Sequence, residues 1–358
     1  MRKESGKDLT SGSPFGLILG FALPMLLGLL FQQFYNMVDT MVVGQCLGVT
    51  SLAAVGSTGS INFMINGFCI GAATGFAIPV AQRMGAGDYS QMRRYVANAA
   101  WLAIAFAAVL TVATGLLCGT ILTVMNTPAD IYEGAYWYIF IIFMGIPATF
   151  LYNLLAAIIR SLGDSKTPVY FLAMSSVLNI GLDLAFILVF RLGVAGASLA
   201  TVLSQGVSGL ACLVYMVKKF PILHMSREER QLDIRSCRAL CFMGVPMGLQ
   251  YSITAIGSIF LQSAVNSLGS LYVAGVAAGS KLFQLLGCPY DAMGATMATY
   301  CGQNVGAVKL DRLGKGVRAC SLLGLIYALI AFGGMLLFAP QGAMLFLDPT
   351  EPELATLV

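Results

Sequence analysis

The feature that limits this chain most is a series of nine long apolar runs, near residues 15 to 43, 52 to 80, 96 to 125, 135 to 158, 168 to 190, 194 to 217, 239 to 265, 271 to 299 and 317 to 346. Each exceeds the roughly 20 residues with which a helix crosses about 30 Å of hydrocarbon. With 58% of residues hydrophobic and 10% charged, the chain has too few ionic side chains to cover large water-facing surfaces. The first run follows a polar tail over 1–14 and is too long to be a signal-peptide core. The expected fold class is therefore an all-α polytopic membrane protein with nine transmembrane helices. Pro24, Pro79, Pro147, Pro246 and Pro289 fall inside the runs and predict bends there.

Basic residues set the orientation, because Lys and Arg gather in cytoplasmic loops. With the N-terminus inside, Arg2, Lys3, Lys7, Arg83, Arg93, Arg94, Arg160, Lys166, the six basic residues from Lys218 to Arg238, and Lys309, Arg312, Lys315 and Arg318 all fall on that side. That is 18 of the 20 in the chain. Asp130, Glu133, Asp348, Glu351 and Glu353 then populate external loops. The expectation is a multi-pass protein of the cell membrane with a cytoplasmic N-terminus.

The chain also repeats itself. FALPMLLGL at 21–29 corresponds to FMGVPMGLQ at 242–250, which sets Pro24 against Pro246, and AQRMGAGD at 81–88 corresponds to GQNVGAVK at 302–309. Both copies enter from the same side, so the repeat is parallel. The expected organisation is a cytoplasmic tail over 1–14, a six-helix N-lobe over 15–217, a charged inter-lobe loop over 218–238, and a partial C-lobe over 239–358 holding helices seven to nine. The second copy stops short of the first, so a C-terminally truncated chain is expected, with twelve spans in its complete form.

Four ionisable residues lie inside the runs: Asp39, Asp183, Lys281 and Asp291. Such groups are expensive in lipid and are functional candidates. Gln32, Tyr35, Asn36 and Asp39 recur at spacings of three and four, so they form one helical stripe. Asn179 and Asp183 share a face of the fifth helix, and Ser198, Thr201 and Gln205 follow on the sixth. From the helical rise, Asp183 lies about 25 Å above the inner boundary and Thr201 about 10 Å below the outer turn. Asp39 lies on the same outer side. Two carboxylates, a carboxamide and a hydroxyl at one depth can ligate Na⁺, or the acids can share a proton. The alternative is that these groups merely satisfy one another in helix packing. Lys281 and Asp291, about 15 Å apart along one helix, can line a cavity or meet partners elsewhere.

Other chemistries find little here. Net charge is +4 with no long basic block, so no nucleic-acid partner is expected, and a single histidine, His224, gives no metal cluster. The nine cysteines include no CxxC pair and mostly lie in apolar runs, where Cys packs as a small hydrophobe. An enzyme would need an acidic metal motif or a His/Glu pair at catalytic spacing, so no enzyme and no cofactor is expected. The aromatics Phe31, Phe34, Tyr138 and Tyr152 can face a bulky organic cation or simply pack.

YNMVDTMVVGQCLG at 35–48, SLAAVG at 51–56, AQRMGAGD at 81–88, RSLGDSKTP at 160–168, LNIGLDLAFI at 178–187, GVAGASLATVLSQ at 193–205 and GQNVGA at 302–307 together resemble the multidrug and toxic compound extrusion (MATE) transporters. The resemblance implies two lobes around a central cavity, exporting organic cations or amphipathic toxins against Na⁺ or H⁺ entry. The substrate would be a small-molecule drug or toxin, and the protein a monomer in contact with membrane lipid. It also implies a cation site at Asp39, Asn179, Asp183 and Thr201, with Gln32, Tyr35, Asn36, Tyr138 and Asn153 toward the substrate cavity. Some members use an acid on the seventh helix; QYSITAIGSIFLQ at 250–262 carries none. A lipid-linked oligosaccharide flippase of the same superfamily is the alternative.

Overall fold

A computed structural model describes residues 8–266 and 270–344. Arg2, Lys3, Lys7 and the acids Asp348, Glu351 and Glu353 lie outside the described residues, as does the side chain of Lys281. Among the described residues the chain is helical without strands. Its helices are α1 (Pro14–Leu47), α2 (Val49–Ser57), α3 (Gly59–Gly85), α4 (Tyr89–Val124), α5 (Ala129–Met144), α6 (Ile146–Ser161), α7 (Thr167–Leu184), α8 (Val194–Lys219), α9 (Ile234–Asn266), α10 (Ser270–Gly306) and α11 (Asp311–Met344).

Seven of these helices are long and apolar enough to cross a membrane, or eight if α5 and α6 count as one bent span. The run near 271 to 299 falls on α10, which is 37 residues long but is not among those eight. Two expected spans are broken rather than merely bent. The second divides at Thr58 into α2 and α3, and the fourth divides at Gly145, where its two pieces meet at 46°. Pro147 opens α6, where its missing N–H costs nothing. Pro24, Pro79, Pro246 and Pro289 lie inside their helices, as expected.

The most extensive seam among the described residues joins α3 to α9. Gly67, Gly71 and Gly75 recur every fourth residue and so line one face of α3. A Cβ at Gly67 would stand 2.7 Å from the Tyr251 Cβ, one at Gly75 2.5 Å from the Gly244 Cα, and one at Gly71 would overlap the Met247 carbonyl. Only hydrogen fits, and the backbones touch. Lipid offers no hydrophobic force to hold helices together, so this close van der Waals approach supplies the association. The other copy of the repeat makes the related pairing, α10 on α1, with Ala292 against the cluster of Ile18, Phe21 and Met25.

At the end of the molecule rich in Lys and Arg, the two copies meet reciprocally. A Cβ at Gly85 would overlap the Gln303 carbonyl and one at Gly306 the Gln82 carbonyl. Residues 82 and 303 are equivalent in the repeat, as are 85 and 306, so this is the contact pattern of a local two-fold. Side chains fasten the same end. Gln303 Nε2 donates to the Ser161 carbonyl at 2.9 Å, its Oε1 accepts from Leu9 N–H at 3.1 Å, and Asn304 Nδ2 donates to the Leu9 carbonyl at 3.1 Å.

The charged loop before α9 is docked rather than free. Glu229, 6% exposed, accepts from Arg93 Nε at 2.8 Å and Nη2 at 2.7 Å and from Ser90 Oγ at 2.9 Å. These bonds, led by those of Arg93, hold its carboxyl down at about 2. Asn98 accepts from Asp233 N–H at 2.8 Å and donates to the Gln231 carbonyl at 3.4 Å. His224 is exposed.

Candidate functional site

Five helices build the polar cluster. On α1 the spacing of Gln32, Tyr35 and Asp39 turns all three toward α7 and α8. On α7, Asn179 and Asp183 are one turn apart and nearly sealed from solvent, at 1% and 0% exposure. Immediately after Asp183 the helix widens into a π turn over Ala185–Val189, with Phe190 N–H donating to the Ala185 carbonyl. Such insertions recur where a helix must re-aim functional groups. On α8, Thr201 accepts from Asn179 Nδ2 at 3.4 Å and donates to the Ala197 carbonyl at 3.1 Å.

The carboxyl groups of Asp39 and Asp183 lie within hydrogen-bonding reach of each other. The Tyr35 hydroxyl reaches the side chains of Gln32 and Gln205. Tyr138, 6% exposed, closes the cluster from α5, within electrostatic reach of both acids and of Tyr35. The break at Gly145 supplies one more member. A Cβ there would collide with Val202, so α8 approaches closely, and Thr149 Oγ1 on the following turn donates to Gln205 Oε1 at 2.7 Å. The sequence reading missed Thr149, since a lone hydroxyl in an apolar run carries no signal of its own.

What defines the site chemically is an excess of acceptors. Among the described residues, Asp39 Oδ1, both Asp183 carboxyl oxygens and Asn179 Oδ1 are buried without a hydrogen-bond partner. An unsatisfied buried acceptor costs about 1–3 kcal/mol, more when charged. Four such oxygens together, three of them from two carboxyl groups within hydrogen-bonding reach of each other, call for a proton or a hard cation among them.

The remaining residues named toward the substrate cavity make other contacts. Asn36 is exposed and its Nδ2 donates to Gln33 Oε1 at 3.5 Å. It leaves the stripe because the helical repeat places it one residue beyond the buried face. Asn153 donates to the Thr149 carbonyl of its own helix at 2.8 Å, and the Tyr152 hydroxyl donates to the Pro168 carbonyl at 3.1 Å. Phe31 and Phe34 are exposed. Arg160, expected in a loop, instead lies within the last turn of α6 and lines a crevice between α3 and α10.

A family model described as MatE matches the chain over residues 24–185 and 246–357, the two stretches opening at Pro24 and Pro246. This chain belongs to the MatE family. Members of the family are transporters rather than enzymes, and the chain is a multi-pass helical membrane protein of this kind. It is 32% identical to the probable multidrug resistance protein YpnP of Bacillus subtilis over 84% of this chain and 67% of that protein. It is 29% identical to the probable multidrug resistance protein YoeA of the same organism, over 92% of this chain and 73% of that one. In fold it resembles a MOP superfamily transporter from Pyrococcus furiosus, with a TM-score of 0.92 over 99% of this chain and 79% of that chain at 24% identity.

Proposed function

We propose that this chain is a Na⁺- or H⁺-coupled antiporter that exports organic cations or amphipathic drugs by alternating access. Asp39, Asn179, Asp183 and Thr201 hold the coupling ion, and Tyr35, Gln32 and Tyr138 face cargo that competes with it. The lobes over 15–217 and 239–358 rock about the α3–α9 seam, with the N-terminus and the basic end in the cytoplasm of a cell whose plasma membrane the protein spans. The observation that carries this reading is the set of buried oxygens without donors. The names of the relatives, probable multidrug resistance proteins, support the cargo class.

A mechanism follows from electrostatics. Without an ion, two adjacent carboxylates in low dielectric repel, and binding a cation or a proton removes that cost. Cargo carrying positive charge relieves the same repulsion, so ion and cargo exclude one another and each drives the other's release. A flippase would require a strongly cationic cleft, whereas the polar cluster on α1, α7 and α8 is acidic.

Asp39→Asn and Asp183→Asn in the full chain, reconstituted in liposomes, are expected to abolish dye efflux driven by a Na⁺ or pH gradient and to remove ion binding measured by calorimetry. Folded yield should be unchanged. Efflux at the parent level in both variants refutes the proposal.

A further inference from the structure

Arg160 is a charge the cation site does not use. Its side chain lines a crevice whose other walls are Thr74, Ala77, Ile78 and Ala81 of α3, Ala157 of α6, and Ala295, Ala298 and Thr299 of α10. Among the described residues no carboxylate lies within 4.0 Å of it and no side-chain hydrogen bond satisfies its five donors. A guanidinium held half-buried among alanines lacks the planar anion it is shaped to grip.

The opposite charge sits on the same path. Asp291 precedes Ala295, Ala298 and Thr299 by four, seven and eight residues, so it lies on the crevice-facing stripe of α10, about 6 Å further along the axis than Ala295. It is exposed and forms no ion pair with Arg160. Tyr251 of α9 lies within electrostatic reach of both. The two charges thus come from opposite sides of the inter-lobe loop and both lie near Tyr251 without forming an ion pair.

We propose that Arg160 and Asp291, with Tyr251 between them, form a substrate subsite for amphiphiles that carry both an acidic group, a carboxylate or a phosphate, and an amine. The acid seats on Arg160 and the amine on Asp291. The crevice beside Arg160 now has about 10 Å³ of free volume, enough for one water. Cargo therefore reaches the guanidinium only when α3 and α10 part at the basic end, which is the loading side in the proposed transport cycle. The inference rests on that cycle for its cargo but uses none of the ion ligands.

The test is equilibrium binding of three fluorescent probes to the purified full chain in nanodiscs: an arylpiperazine carboxylic acid, its methyl ester and its N-acetyl derivative. Arg160→Gln is expected to weaken the zwitterion and the N-acetyl acid about 10-fold, the scale of one lost charged hydrogen-bonded contact, and to leave the ester unchanged. Asp291→Asn should weaken the zwitterion and the ester and spare the N-acetyl acid, and Arg160→Lys should restore part of the acid's binding. Equal loss of all three probes in Arg160→Gln, or no loss of any, overturns the subsite. So does a parent chain that binds none of them, whereas calorimetric ion binding at Asp39 and Asp183 would then still support the transport cycle.

Discussion

α1 and α9 start from the same end, each with a proline at equivalent depth, Pro24 and Pro246, and each packs its lower half on a helix of the other copy. Beyond that depth they part. α1 turns Gln32, Tyr35 and Asp39 toward α7 and α8. In the corresponding stretch of α9, Thr254 Oγ1 donates to the Gln250 carbonyl at 2.9 Å and Ser258 Oγ to the Thr254 carbonyl at 3.0 Å, while Phe260 and Leu261 are 73% and 63% exposed. One backbone plan has been given chemistry in one copy and apolar surface in the other. The lesson is that the repeat fixes where a helix runs, and a few polar positions decide whether it can hold charge.

The same contrast runs through the seams, and substitutions at equivalent positions break it with different force. Gly71 of α3 and Ala292 of α10 correspond, but only at Gly71 does the neighbouring backbone fill the place of a side chain. Gly71→Ala is expected to destabilise the protein by more than about 2 kcal/mol, since overpacking here cannot be relieved by turning a side chain. Ala292→Gly should cost about 1 kcal/mol, the ordinary helix penalty. Thermal unfolding of the two variants in detergent checks the order, and an equal loss would erase the distinction between the seams.

The docked loop gives an effect of intermediate size. Glu229 is held at about 2 against an unperturbed 4.5. Its depressed value means that its contribution is complete above pH 4.5 and disappears as pH falls through about 2. Glu229→Gln should cost about 1–3 kcal/mol at neutral pH and flatten the dependence of stability on pH in that acid window, read by protease cleavage after Arg230. A variant that keeps the parent's acid profile would mean that the loop is held by its other contacts, those of Asn98 and Trp101 among them.

The smallest effect should be a gain. Gly87 and Val308 close the equivalent turns of the two copies, with φ of 71° and 57°. Glycine adopts this left-handed region freely, whereas a β-branched residue is strained there by about 1–2 kcal/mol. Val308→Gly is expected to raise stability by about 1 kcal/mol, less than the full strain because glycine also loosens the unfolded chain. A lowered melting temperature would show that the strain is offset elsewhere in the turn.

Much of the site could be read from spacing. Residues three and four apart share a helix face whatever the tertiary fold, so Tyr35 with Asp39 and Asn179 with Asp183 were legible as pairs. Asn36 was not separable from them, because at i+1 it lies about 100° around the helix and only packing shows which edge of the stripe is buried. Arg160 was misplaced because the charge of a residue near a helix end says nothing about whether its side chain turns to solvent or into a seam. The π turn after Asp183 and the break at Gly145 depend on what presses against the backbone, Val202 in the latter case.

What the sequence determined by itself is the helical membrane class, the parallel repeat and the presence of costly acids at one depth, because each follows from local periodicity and from the price of charge in hydrocarbon. Only the tertiary structure decided that Asp39 and Asp183 come within hydrogen-bonding reach, that Thr149 joins the cluster through Gln205, and that Arg160 turns into a crevice between α3 and α10. Those are distances between helices far apart in the chain, set by glycine seams and backbone breaks whose consequences appear only once the helices are packed.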